Sequence, residues 1–205
     1  VIRQDASITL IPDLGVDRQA ALEDELDAAL DVSSLVEPVG GNFGVLPPDP
    51  VFLKKLKELT AGYGSLLIFD EVITGFRFSF SSAAQSLGVI PDLIVLGKII
   101  GGGFPIGAYG GGSTIMDNLA PLGKVYQAST FAGNPIVMRA GTVTLNTLER
   151  SSSYYKKTES LTRYLASKIE EEAKSCRITL KVSHYGNIFS IKFADTKRFK
   201  KFYRL

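Results

Sequence analysis

Cysteine is almost missing from this sequence: Cys176 stands alone. A single cysteine excludes an intrachain disulfide framework and fits a reducing compartment. Set among Lys174 and Arg177 near a predicted helix end, it reads as a bystander. One-sided charge is missing too. The 23 basic residues stand against 21 acidic ones, a net charge of +2, so nothing argues for nucleic acid or a membrane surface. The one local excess, Lys197–Arg204, reads as a solvated helix face. No apolar run reaches the length of a membrane span, and no charged, then apolar, then small-residue signal opens the chain. Two phosphate-loop patterns fail as well. A Walker A loop ending at Lys98 needs glycine where Asp92 stands and Ser or Thr where Ile99 stands. A dinucleotide fingerprint starting at Gly101 needs its third glycine where Ile106 stands.

What is present is a chain of 205 residues, 45% hydrophobic, enough to bury a substantial core in one large or two small domains. It is organised around Leu66–Gly112. Leu93, Ile94, Val95 and Leu96, entered through Pro91-Asp92, predict a buried strand of a parallel sheet. Lys98 follows, with Gly101, Gly102 and Gly103 behind it. Such sheets carry their chemistry just past the carboxyl ends of strands. A second apolar run, Leu66-Leu67-Ile68-Phe69, ends in Asp70-Glu71. The separation 98 − 70 = 28 residues is about one βαβ unit, so two neighbouring strands would deliver a carboxylate and an amine to one crevice.

That pairing suits pyridoxal 5'-phosphate (PLP). The lysine forms a Schiff base, and the ionised acid keeps the pyridine nitrogen protonated, so that the ring acts as an electron sink. A surface lysine is the plainer reading, but flanking by Ile99-Ile100 and apolar strand residues makes an unusual solvated face. The glycines keep side chains away from the cofactor and from the turn leading to Ile106–Tyr109. A flexible linker would carry more serine.

The remaining segments predict the scaffold. Val1–Pro12 alternates weakly and reads as a strand; Asp17 caps a helix to about Leu30, with Leu22, Leu26 and Leu30 on one face. Leu35-Val36-Glu37-Pro38 ends a further strand, and 70 − 42 = 28 places Asn42 one unit before Asp70. An asparagine beside glycines also reads as a residue stabilising its own turn. Asp49-Pro50 starts a crossover helix with Phe52, Leu56, Leu59 and Tyr63 as its core stripe. Ser81–Leu87 is a short helix closed by Gly88, and Asn134-Pro135 caps another running toward Glu149. Ser151–Lys174 is a long helix with Leu161, Leu165, Ile169 and Ala173 aligned. His184, the only histidine, lies in an alternating stretch and reads as structural. No metal site is expected.

FDEVITGFR (69–77), PDLIVLGKIIGGGFPIGAYGG (91–111) and YQASTFAGNP (126–135) closely resemble the glutamate-1-semialdehyde 2,1-aminomutase family, class III members of the fold type I PLP enzymes. The similarity runs from about Val36 to about Glu149. It implies an α/β fold: the central part of a fold type I large domain, a mostly parallel sheet flanked by helices, plus the start of an α+β small domain. Residues 1–149 would belong to the PLP-binding domain and 150–205 to a connector helix and the small domain.

The implied activity is conversion of glutamate-1-semialdehyde to 5-aminolevulinate, a tetrapyrrole precursor, through a Schiff base on Lys98. Lys98 and Asp70 would be catalytic. Val72 would pack on the cofactor ring. Glu37 and Asn42 match the motif EPVxGN, which places the glutamate in the active site and the asparagine near the cofactor. Thr130 would bind the cofactor phosphate of the neighbouring subunit, which requires a homodimer; Ser129 beside it replaces a residue usually glycine. TGFR at 74–77 resembles the aminomutase pattern rather than the TGxGRTG of many class III transaminases.

The resemblance further implies an amino-acid-like substrate and a cytoplasmic location, or the plastid stroma in a plant or alga. Family members are roughly twice this length, so the chain corresponds to the middle of one. The phosphate cup and ring-stacking aromatic would precede Val1, and a substrate-contacting segment would follow Leu205. A class III ω- or β-amino-acid transaminase shares every residue named, and a non-catalytic remnant is the alternative of another class.

Overall fold

The computed structural model describes residues 8–10, 33–42, 44–195 and 202. The expected helix from Asp17 to Leu30 lies outside them, as does nearly all of Lys197–Arg204.

A five-stranded sheet, in spatial order β1-β2-β3-β4-β5, is built from Ile8–Leu10 (β1), Ser33–Val36 (β2), Leu67–Glu71 (β3), Leu93–Leu96 (β4) and Ala108–Gly111 (β5). The first four are parallel and β5 runs antiparallel beside β4. β3 lies in the middle because its composition suits burial on both sides: Leu67 and Phe69 are wholly enclosed on one face and Ile68 is buried on the other.

The β2–β3 crossover is helix α1, Pro50–Gly62. Asp49 starts it, its Oδ1 accepting from Val51 N–H (3.0 Å) and Phe52 N–H (3.2 Å), with Pro50 in the first turn where no N–H is missed. Leu53, Leu56, Leu67, Phe69, Ala84 and Val89 form the core, flanked by Phe52, Leu59 and Tyr63. Each fully enclosed side chain of this size contributes about 1.5–3 kcal/mol. The inward line of α1 is Leu53, Leu56 and Thr60, one residue round from the expected stripe. Thr60 can be buried because its Oγ donates to Leu56 O at 3.0 Å.

Asp92 fixes the start of β4. Its Oδ2 accepts from Leu67 N–H (2.8 Å) and its Oδ1 pairs with Lys57 Nζ (2.6 Å), tying β4 to β3 and α1. The expectation that β4 is buried is corrected: all four of its residues are only half-buried. A groove of about 390 Å³ lies along it, and Gly110 and Gly111 of the adjoining β5 supply no side chains to cover it.

Helix α2 (Ala83–Leu87) is capped by Ser82 and closed by left-handed Gly88. Beyond β5 come α3 (Ser113–Met116), α4 (Pro135–Glu149) and α5 (Ser152–Ser175), then a hairpin of β6 (Leu180–Tyr185) and β7 (Ile188–Phe193). On α5 the inward line is Thr162, Ala166 and Ala173, whereas Leu161 is 55% exposed and Leu165 44%. Of the expected face of Leu161, Leu165, Ile169 and Ala173, Ala173 is buried while Leu161 and Leu165 lie on the flank, since small residues let the hairpin approach the helix. Glu170 reinforces that contact by accepting from Val182 N–H at 2.9 Å. His184 is half-buried opposite Phe189, and Cys176 is exposed.

The hairpin and the start of α5 rest on the loops after β2 and β3. Val45 N–H donates to Ser190 Oγ (2.8 Å), Tyr155 Oη donates to Phe76 O (3.3 Å), and Phe78 meets Tyr185 edge-on at 4.9 Å. Among the described residues no helix is long and apolar enough to cross a membrane.

Candidate active site

Three parallel strands end side by side. Val36 pairs with Phe69 and Phe69 with Ile94, so Glu37, Asp70 and Val95 stand at one level, with Lys98 three residues beyond Val95. The topology thus brings Glu37, Asp70 and Lys98 to the carboxyl end of the sheet; the 28-residue spacings relate Asn42, Asp70 and Lys98.

Glu37 and Asn42 form one closed turn. Glu37 Oε2 accepts from Gly41 N–H (2.6 Å) and Asn42 N–H (3.3 Å), and its Oε1 accepts from Asn42 Nδ2. Asn42 thus shapes its own turn, and that turn follows the end of β2.

Asp70 is half-buried, and its Oδ1 accepts from Val72 N–H at 3.0 Å. This short loop aims a carboxylate along the strand end. Strand alternation puts Glu71 on the opposite face, with Leu67 and Phe69, and it is completely enclosed. Three donors surround it: Ala83 N–H at 2.5 Å, Ala84 N–H at 3.1 Å and Thr74 Oγ at 3.5 Å. Burial pushes the Glu71 carboxyl above its ordinary value, and the three donors only partly oppose this. Sequence reasoning passed Glu71 over. The signal was available, since in a strand where Leu67 and Phe69 face the core the residue two further on does so too.

Lys98 is exposed and opens a 3-10 turn, Lys98–Gly101, with φ +46°, left-handed space that non-glycine residues seldom occupy. Gly97 before it is buried, and a Cβ there would lie 3.3 Å from Val72 Cγ1. Gly97 therefore packs closely against the half-buried Val72, and a larger residue there would press on it. Thr130 is exposed in the segment before α4, whose cap is Asn134, its Oδ1 accepting from Ile136 N–H (3.0 Å) and Val137 N–H (3.3 Å). Among the described residues no hydrogen bond joins Thr130 to Lys98, Asp70, Glu37 or Asn42. No cluster of three or more His, Cys, Asp or Glu side chains among those residues could hold a metal ion.

The sequence profile of the aminotransferase class-III family matches residues 17–204. The chain belongs to that family. Glutamate-1-semialdehyde 2,1-aminomutase of Natranaerobius thermophilus is 48% identical over 161 residues, covering 78% of this chain and 37% of that protein. An ω-transaminase from Sphaerobacter thermophilus superposes with a TM-score of 0.75 at 34% identity, over 85% of this chain and 39% of that one. A glutamate-1-semialdehyde aminomutase from Pseudomonas aeruginosa, solved in complex with PMP, gives 0.71 at 26%, over 85% and 40%. The chain thus spans about two fifths of the length of the curated relatives it matches.

Class-III aminotransferases are PLP enzymes, and the residues here fit that group. The donor set is an amine and a carboxylate past adjacent strand ends, with the apolar side chain of Val72 packed beside Gly97, next to the lysine.

Proposed function

We propose that this chain carries the lysine-and-carboxylate part of a PLP-dependent aminomutase site that isomerises glutamate-1-semialdehyde to 5-aminolevulinate. The observation that carries the reading is Lys98 and Asp70 at the ends of neighbouring parallel strands, with the half-buried Val72 packed beside Gly97. Lys98 would hold PLP covalently and Asp70 would keep a proton on its ring nitrogen, with Val72 against the ring. Glu37 and Asn42 would border the same space as one preformed turn. When bound, PLP supplies an electron sink for the electrons left as the substrate loses a proton, and the carrier for the amino group that moves to the neighbouring carbon. The Lys98 amine would take that proton and return it.

Residues 1–149 are assigned to the cofactor-binding domain and 150–205 to the connector and small domain. Thr130 would reach the cofactor phosphate of a second copy, in a cytoplasmic homodimer. The segment carrying Thr130 supports this: Leu122 and Tyr126 are about four-fifths exposed and Ile136 nearly two-thirds, an apolar surface that a partner would cover.

A class III transaminase is the second reading, favoured by the closer identity of the solved ω-transaminase than of the solved aminomutase. Against it stand the 48% identity to the aminomutase of Natranaerobius thermophilus and the TGFR pattern at 74–77. Product analysis decides. Supplied with glutamate-1-semialdehyde and PLP but no 2-oxo acid, an aminomutase returns an isomer of its substrate. Turnover that depends on an added 2-oxo acid would establish the transaminase instead, and turnover in neither case would leave the non-catalytic remnant.

A further inference from the structure

Helix α4 contains Gly141 in the middle of its 15 residues, where alanine would favour the helix more. The reason lies across from it. A Cβ at position 141 would stand 2.5 Å from Ile100 O, in the Lys98 turn. The fit is reciprocal, since a Cβ at Gly102 would stand 2.6 Å from Thr144 Oγ and 2.8 Å from Ala140 O. Ala140, Gly141 and Thr144 share one face of α4, so helix and turn meet there at backbone distance.

We propose that Gly141 and Gly102 are positioning residues for Lys98, with α4 as the seat of the lysine turn; the inference rests on the reading of Lys98 given above. The turn has little hold of its own. It is a short 3-10 segment whose geometry is intrinsically poor, with Ile100 N–H to Gly97 O at 3.3 Å and Gly102 N–H to Ile99 O at 3.1 Å at its two ends. Lys98 is moreover left-handed, a conformation that persists only where the surroundings impose it. A methyl group on Gly141 must push Ile100 O outward by roughly 1 Å to restore ordinary contact. A reacting group misplaced by about 1 Å can lose about a hundredfold in rate.

The test uses two readouts on the 205-residue chain and its Gly141→Ala variant. Hydrogen exchange across residues 97–104 reports the seat, and borohydride trapping of PLP on Lys98, located by peptide mapping, reports the lysine. The expected result is a folded variant with unchanged helicity, exchange raised about tenfold or more, and trapping at Lys98 lowered about tenfold or more. Thr142→Ala, on the exposed side of α4, should change neither. If Gly141→Ala does not fold, Gly102→Ala at the exposed rim of the seat is read in the same way. Trapping at the unmutated rate in a folded variant overturns the proposal, as does unchanged exchange. Absence of trapping on Lys98 in the unmutated chain overturns instead the reading on which it rests, while the exchange result still decides whether the seat exists.

Discussion

The end of β3 and the end of β4 lie side by side and are built in opposite ways. At β3, Leu67, Phe69 and Glu71 are fully enclosed, Glu71 is held by three donors, and Asp70 is fixed by Val72 N–H. At β4 the strand is half-buried, and Lys98 stands exposed on a left-handed turn resting on glycine contacts. The difference matches the two tasks proposed for them. A carboxylate that keeps a proton on a ring nitrogen gains from immobility, because its charge must already point where it is needed. A lysine that binds, lets go and moves a proton needs a free side chain on a fixed base.

The largest effect should come at the end of β4. Lys98→Ala should lower turnover by at least about 10³-fold in steady-state assays while leaving the thermal transition unchanged, because the exposed side chain supports no packing. Unchanged activity would end the assignment. Asp70→Asn keeps the shape and removes the charge, and should cost about 10²-fold in kcat. A loss as large as that of Lys98→Ala would show that the two ends share one role.

Glu71→Gln turns the comparison to stability, since its amide N–H₂ must face a backbone N–H. It should destabilise the fold by about 1–3 kcal/mol in urea titrations. A pH series sharpens this. Because burial raises the Glu71 carboxyl above its ordinary value of about 4.5, its contribution is fully present below that value and is lost as pH rises through the raised folded value. The stability difference between unmutated chain and Glu71→Gln should therefore shrink as pH rises across that window. A difference that grows with pH would contradict the assignment. Smallest is Ser190→Ala, which removes the hairpin's acceptor for Val45 N–H and should cost about 1 kcal/mol, leaving both strand ends in place.

Local chemistry was legible in the sequence. Asp49-Pro50, Asn134-Pro135 and Gly88 carry their own reasons for starting or ending helices, and the two 28-residue spacings placed Asn42, Asp70 and Lys98 at the carboxyl end of the sheet. What depends on the neighbour across the gap was not legible. Leucines spaced along α5 show that a face exists, but Thr162, Ala166 and Ala173 became the inward one because the hairpin needed close approach. The half-burial of β4 follows from glycines in β5, and the need for glycine at 141 comes from Ile100 O across from it. Glu71 escaped notice because Asp70 beside it explained the acidic pair.

The most direct measurement is the absorbance spectrum of the purified chain with PLP, before and after borohydride, followed by peptide mapping. A yellow band that reduction converts into a cofactor-labelled peptide carrying Lys98 is the predicted result. No band, with PLP washing off freely, or label on another lysine, would contradict the placement of the site at the end of β4.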